Sequence, residues 1–441
     1  VSQHPTLGPA FTWDGTSVSW AVMIYGFIAS VLPVWLLLAP RDYLSTFMKV
    51  GTIMILGVAI IFVMPPLKMP AVTQFVDGTG PVFAGSLFPF AFITIACGAV
   101  SGFHALIASG TSPKMLRCET DARLVGYGSM LTESLVGVMA MIAAATLDPG
   151  VYFGMNVGPA LPAPDAQSAA QAIAQWGFIV TPDQLDTLAK EMGESTLLSR
   201  TGGAPSLAVG MAGIMSGVFS GSGLALWYHF AIMFEAVFIL TTIDAGTRVG
   251  RFMLQELLGP LSPALGRTSW YPSIVLSSFF VVAGWGYFLY QGIIDPLGGI
   301  NTLWPLFGIA NQLLAAVALC VATTVLVKMG KMRYSWVTLI PLTWLAAATL
   351  TAGWQKVFSP DPKLGFLSHA QTLVGSTNPN AGRMIFNDRL DAGLALFFMA
   401  IVLVVIAASA REWWLVGARK KAPAVNEAPY VESRLDAAVE A

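Results

Sequence analysis

Long, uninterrupted apolar runs constrain this chain more than any other feature. A helix needs about 20 mostly apolar residues to cross the hydrocarbon core of a bilayer. Runs of that kind fall at 18–39, 44–64, 82–108, 126–147, 224–247, 272–292, 302–327, 335–354 and 390–409. A tenth apolar stretch, 206–221, precedes the fifth run. Only 11% of the 441 residues are charged, against about 25% in a soluble domain. The expected fold is an all-α polytopic membrane protein of about nine transmembrane helices plus one re-entrant or interfacial segment.

Net charge excludes one class of partner. Lys and Arg number 23 and Asp and Glu 24, a balance that offers no electrostatic footprint for nucleic acid. The three cysteines have neither disulfide-scaffold density nor metal-ligand spacing, and the four histidines form no His-x-x-x-His pair. No cofactor and no metal is expected. The chain opens without Met and without a signal peptide, and is read as an internal fragment.

Basic residues set the orientation. Arg41, Lys49, Lys114, Arg117, Arg123, Arg248, Arg251, Arg267, Lys328, Lys331, Arg333 and the five beyond residue 410 fall on one side. Lys68, Lys190, Arg200, Lys356, Lys363, Arg383 and Arg389 fall on the other. The first set marks the cytoplasm, so the N-terminus lies outside and the tail 410–441 is cytoplasmic and frayed. Loops 148–205 and 355–389 are then outer loops, the former with a short helix opened by Pro182. Keeping the basic loops inside requires 206–221 not to cross separately. Its Gly210, Gly213, Gly217, Gly221 and Gly223 suit close packing on the bundle; one long broken helix is the alternative.

Ionisable groups in the bilayer are costly and therefore informative. Gly98, Ser101 and Gly102 cluster in the third run, which at 27 residues has about seven to spare. A break between Cys97 and Phe103 would turn backbone groups toward a ligand; an unbroken helix packing through its glycines is the other reading. His104 follows and could pair with Glu133. Glu133 is then either a structural hydrogen-bonding group or a proton carrier. Glu235 lies near the middle of the fifth run, where a neutral carboxyl is favoured over a charged one, as proton coupling requires. His229 is about 240° away round that helix and joins the proton-coupling candidates, as does Asp244. For Asp244 the simpler reading is a helix-end residue paired with Arg248. Thr241, Thr242 and the adjacent amides Asn311 and Gln312 complete the substrate- or ion-binding candidates; the amides could equally only join helices.

The segments PVWLLLAPRDYLSTFMKVGT (33–52), ACGAVSGFHALIASGTSPKML (96–116), GYGSMLTES (126–134), RTGGAPSLAVGMA (200–212), FEAVFILTTIDAGTR (234–248) and LWPLFGIANQLLA (303–315) resemble the carbon-starvation protein A (CstA) family. The resemblance runs through nearly the whole chain. It implies a bacterial inner-membrane secondary transporter importing peptides or small carboxylates such as pyruvate during carbon starvation, with protons as the coupling ion. It also implies an amino acid–polyamine–organocation-like fold of two inverted five-helix repeats. This chain then supplies the second repeat, whose first helix is the third run, with 148–223 as an outer gate. A further N-terminal region carrying the first repeat is implied too, and the fragment alone is expected not to transport. On this reading 1–354 is the transport core and 390–409 the last transmembrane helix. The residues leave two other classes open: an intramembrane enzyme using Glu or His as acid and base, and a channel or non-transporting sensor. No nucleotide-binding loop is present.

Overall fold

The computed structural model describes residues 8, 12–158, 165–218, 223–294 and 303–423. Gly221 and the tail beyond residue 423 lie outside them. The described residues form helices joined by loops, with no strand among them, as a bilayer demands, because a helix satisfies its own backbone donors and acceptors.

In chain order the helices are α1 (Gly15–Val31), α2 (Leu38–Val63), α3 (Leu87–Ile95), α4 (Gly102–Gly110), α5 (Ser112–Met115) and α6 (Ser129–Ala145). Then come α7 (Pro149–Asn156), α8 (Ala166–Gln175), α9 (Pro182–Glu191), α10 (Gly203–Val218) and α11 (Leu224–Leu258). The last five are α12 (Tyr271–Ile294), α13 (Leu303–Lys328), α14 (Trp336–Phe358), α15 (Phe366–Thr372) and α16 (Ala381–Gly417). Among the described residues eight spans are long and apolar enough to cross a membrane: α2, Leu87–Gly110, Arg123–Ala145, α11, α12, α13, α14 and α16. The chain is a multi-pass α-helical membrane protein.

The ends differ from the hydropathic reading. The expected span 18–39 is instead the 17-residue α1, about 25 Å long and short of a full crossing. Leu32 turns extended (φ −68°, ψ 150°) because Pro33 follows, and a proline disfavours helix at the residue before it. The last span is longer than expected. α16 has 37 residues, taking in the end of the expected loop 355–389 and the start of the expected tail.

Two compact units result. The first comprises Val1–Ala84 and Met130–Ile300, the second Gly85–Ser129 and Asn301–Ala441. In the first, α1 packs on α11 and α12, and α10 on α2 and α11. α10 takes in residues 206–218 of the ambiguous stretch as a buried helix against the bundle. A Cβ at Gly210 would stand 2.1 Å from the Ala143 carbonyl oxygen, so only glycine lets α10 approach α6 this closely.

The described residues of 148–205 fold as a cap of short helices. Asp165 and Ser168 form a capping box on α8, and Thr181, Pro182 and Asp183 open α9 in the manner expected from the helix dipole. The cap is held by Phe153, stacked on Phe178 at 4.9 Å and edge-on to Phe75 and Trp176. In the second unit α13 is the hub, packing on α3, α4, α14 and α16.

Candidate functional site

The third apolar run is broken where its glycines lie. α3 stops at Ile95, and Ala96 takes a left-handed backbone (φ 49°, ψ −113°) that a residue with a side chain adopts only under constraint. A short 3-10 turn, Ala96–Gly98, follows. Ser101 is extended and caps α4, its Oγ accepting the His104 N–H at 2.9 Å. The Ser101 hydroxyl also bonds Nδ1 of the His104 ring, and Cys97 Sγ lies 2.8 Å from the same Oγ. Gly98 and His104 are exposed at this break and Ser101 is half-buried.

A break in a membrane helix leaves backbone groups that need partners, and Asn311 and Gln312 supply them. The Phe103 N–H donates to Asn311 Oδ1 at 2.9 Å, while Asn311 Nδ2 donates to the Val100 carbonyl at 3.1 Å. Gln312 Nε2 donates to the Phe92 carbonyl at 2.7 Å, and its Oε1 accepts from Thr349 Oγ1 at 3.2 Å. The adjacent amides thus join α13 to the broken helix. A Cβ at Gly102 would meet the Asn311 carbonyl oxygen at 2.1 Å; that glycine serves the same close contact.

The candidates on α11 belong to the first unit. Asp244 is fully buried. Its Oδ2 lies 2.6 Å from Arg41 Nη2 and accepts from the Tyr25 hydroxyl at 2.9 Å. Of the simpler reading, the helix end does not hold, and Arg248 acts on Asp244 electrostatically rather than as its hydrogen-bonded partner. α11 continues to Leu258, and Arg248 Nη2 instead donates to the Ala29 and Leu32 carbonyls at 2.5 and 2.8 Å. Arg251 donates to the Ser30 carbonyl at 2.8 Å. Together these arginines close the open C-terminal carbonyls of α1.

Thr241 extends this network, accepting from Lys49 Nζ at 2.6 Å and lying within 3.4 Å of Asp42 Oδ1. Thr242 is exposed and bonds back to the Phe238 carbonyl at 3.3 Å. Glu235 and His229 are half-buried on α11, and Glu133 is exposed on α6. His104 falls in the second unit and Glu133 in the first. Tyr25 and Arg41 escaped the sequence reading because nothing in local spacing links them to a carboxylate some two hundred positions later.

A cavity of about 660 Å³ lies in the first unit between the cap and α10, lined by Lys68, Asp148, Thr181, Gln184, Glu191 and Gly213 among others. Its volume is in the range that takes a small molecule, and its wall carries both charge signs. Among the described residues no group of three or more His, Cys, Asp or Glu could hold a metal ion.

The family described as Carbon starvation protein CstA matches residues 1–352. A peptide transporter CstA from Escherichia coli (strain K12) is 55% identical over 446 residues, covering 98% of this chain and 64% of that protein. One from Campylobacter jejuni is 58% identical over 359 residues, 81% of this chain and 51% of that protein. A pyruvate/proton symporter, BtsT, from Escherichia coli (strain K12) is 45% identical over 464 residues, 98% of this chain and 65% of that protein. The chain therefore spans less than two thirds of the length of these relatives. No solved structure matches it.

Proposed function

The chain belongs to the carbon starvation protein CstA family, and on that footing we propose that it forms the core of a secondary transporter for peptides or small carboxylates such as pyruvate. Protons are the coupling ion, import across the bacterial inner membrane the direction, and carbon starvation the setting. The carrying observation is the break at Ala96–Ser101. Its backbone is pinned from one side by Asn311 and Gln312, while Gly98, Ser101 and His104 remain half-buried to exposed. A broken helix turns polar backbone and the Ser101 and His104 side chains toward a substrate without a fixed charge, as discontinuous transporter helices do.

Relatives are named for peptide transport and for pyruvate/proton symport, which favours transport over catalysis. Substrate binding is assigned to Gly98, Ser101, Gly102 and His104, with Asn311 and Gln312 in support; Thr241 and Thr242 are separate candidates in the first unit. Proton coupling is assigned first to Glu235, with Glu133, His229 and Asp244 as the competing groups. The transport core is 1–354, and the tail beyond 410 is cytoplasmic.

Uptake tests the proposal. Residues 1–441 replace the aligned part of the Escherichia coli peptide transporter CstA, and vesicles carrying the chimera are offered labelled pyruvate or labelled dipeptide. Accumulation of one of them, lost when the proton gradient is collapsed, is expected. Equilibration without accumulation points to a passive channel, and no uptake of either contradicts the reading.

A further inference from the structure

Four ionisable side chains outside the sites above meet where α14, α15 and α16 pack. Lys356 is 3% exposed, Asp388 2% and Asp391 1%. Asp388 Oδ2 lies 2.8 Å from Nδ1 of His369, whose side chain keeps 28% of its exposure. Lys356 interacts electrostatically with both aspartates, and its ammonium sits 4.7 Å from the centre of the Phe366 ring. All four residues lie beyond position 352, where the family match ends.

Charge counting shows what this cluster lacks. One ammonium faces two carboxylates, so with a neutral imidazole the buried group carries one negative charge in excess. An uncompensated charge in a water-poor site is strongly unfavourable. Moreover, Asp391 Oδ2 is buried with no hydrogen-bond partner, a rare state for an ionised oxygen. His369 can offset only the aspartate it bonds, Asp388; among the described residues the charged groups that act on Asp391 are Asp388 and Lys356. α13 contributes only Lys328, at the opposite end, where Trp413 of α16 bonds Thr324 at 2.9 Å. Lys363, Arg383 and Arg389 are exposed. A metal cation fits poorly, because the ammonium already holds the cationic position and no metal-ligand grouping occurs among the described residues.

We propose that Lys356, His369, Asp388 and Asp391 form a proton-binding site in which Asp391 carries the proton. The step is one protonation. An O–H bond forms on the Asp391 carboxylate, a hydronium ion becomes water, and the cluster passes from one excess negative charge to neutrality. His369, the most exposed member, marks the side from which water reaches it. The site does not depend on the transport reading, since it follows from burial and charge alone.

Infrared difference spectroscopy on the protein in liposomes reads it directly. At neutral pH the carbonyl stretch of a protonated carboxyl is expected in the parent and absent from Asp391→Asn, with Glu235→Gln leaving that band in place. Asp391→Glu, which keeps a carboxyl, should move the band and serves as the readout should the Asn variant fail to fold. A spectrum unchanged in both variants overturns the proposal. So does loss of the parent band when sodium chloride replaces choline chloride, which would make the occupant a metal cation.

Discussion

Asn311 Oδ1 accepts a hydrogen bond from the Phe103 amide at 2.9 Å and so closes, from another helix, a bond that α4 cannot make for itself. The same side chain returns a donor to the Val100 carbonyl. One amide thus fits both faces of a broken helix, because Asn carries donor and acceptor on one planar group.

Asn311→Ala should leave two backbone groups unpaired in a site that is 6% exposed at this residue. Each such loss costs about 1–3 kcal/mol. Asn311→Asp keeps the acceptor and should fall between Ala and the parent. Thermal unfolding in detergent ranks the three; equal melting of Ala and parent would mean the break holds without its amide.

Asp244→Ala removes the buried partner of Arg41 and leaves it with Asp42, 2.8 Å away. Removing one partner of a buried pair costs about 3–5 kcal/mol, and the 20% exposure of Arg41 places this case at the lower end. Arg41→Met combined with Asp244→Ala should recover part of that loss. A double variant no more stable than Asp244→Ala would show that the pair is not coupled.

Glu235→Gln and Glu133→Gln separate the coupling candidates, because glutamine keeps the shape but cannot ionise. In the chimera, Glu235→Gln should abolish proton-driven accumulation and retain part of substrate exchange, with Glu133→Gln unaffected. The reverse pattern moves the role to Glu133, and normal accumulation in both makes the carboxyls structural.

Asp14 caps α1, and hydrogen bonds from the Ser17 and Thr16 hydroxyls and the Ser17 amide hold its carboxyl down, from 3.8 to about 2. A depressed folded-state pKa contributes stability above the unfolded value that is lost as pH falls through the folded one. Protection of the Ser17 amide from hydrogen exchange, corrected for intrinsic rate, should therefore drop between about pH 4 and pH 2. Asp14→Asn should flatten that dependence; a parallel fall in the variant would assign it elsewhere.

The broken third span was legible because hydropathy gave its spare length and composition gave its weak point at Gly98–Gly102. Partners were not. Asp244 carries no local sign of Arg41, and Arg248, four residues on, is the more obvious mate until α11 is seen to run past it. Lys356 and Asp388 were read into an outer loop because charged residues near a helix end lower the hydropathy that defines a span. The helices of the cap are each too short to register as spans, so 148–205 read mostly as loop.

Substrate access to the break is the central claim, and protection of a thiol there measures it. Ser101→Cys, placed in a background with Cys97, Cys118 and Cys320 replaced, is labelled with a small thiol reagent in the chimera. Transported substrate should slow labelling at position 101 in a saturable way and leave a Ser168→Cys control unchanged. Equal labelling rates with and without saturating substrate, in a chimera that still transports it, would contradict the claim.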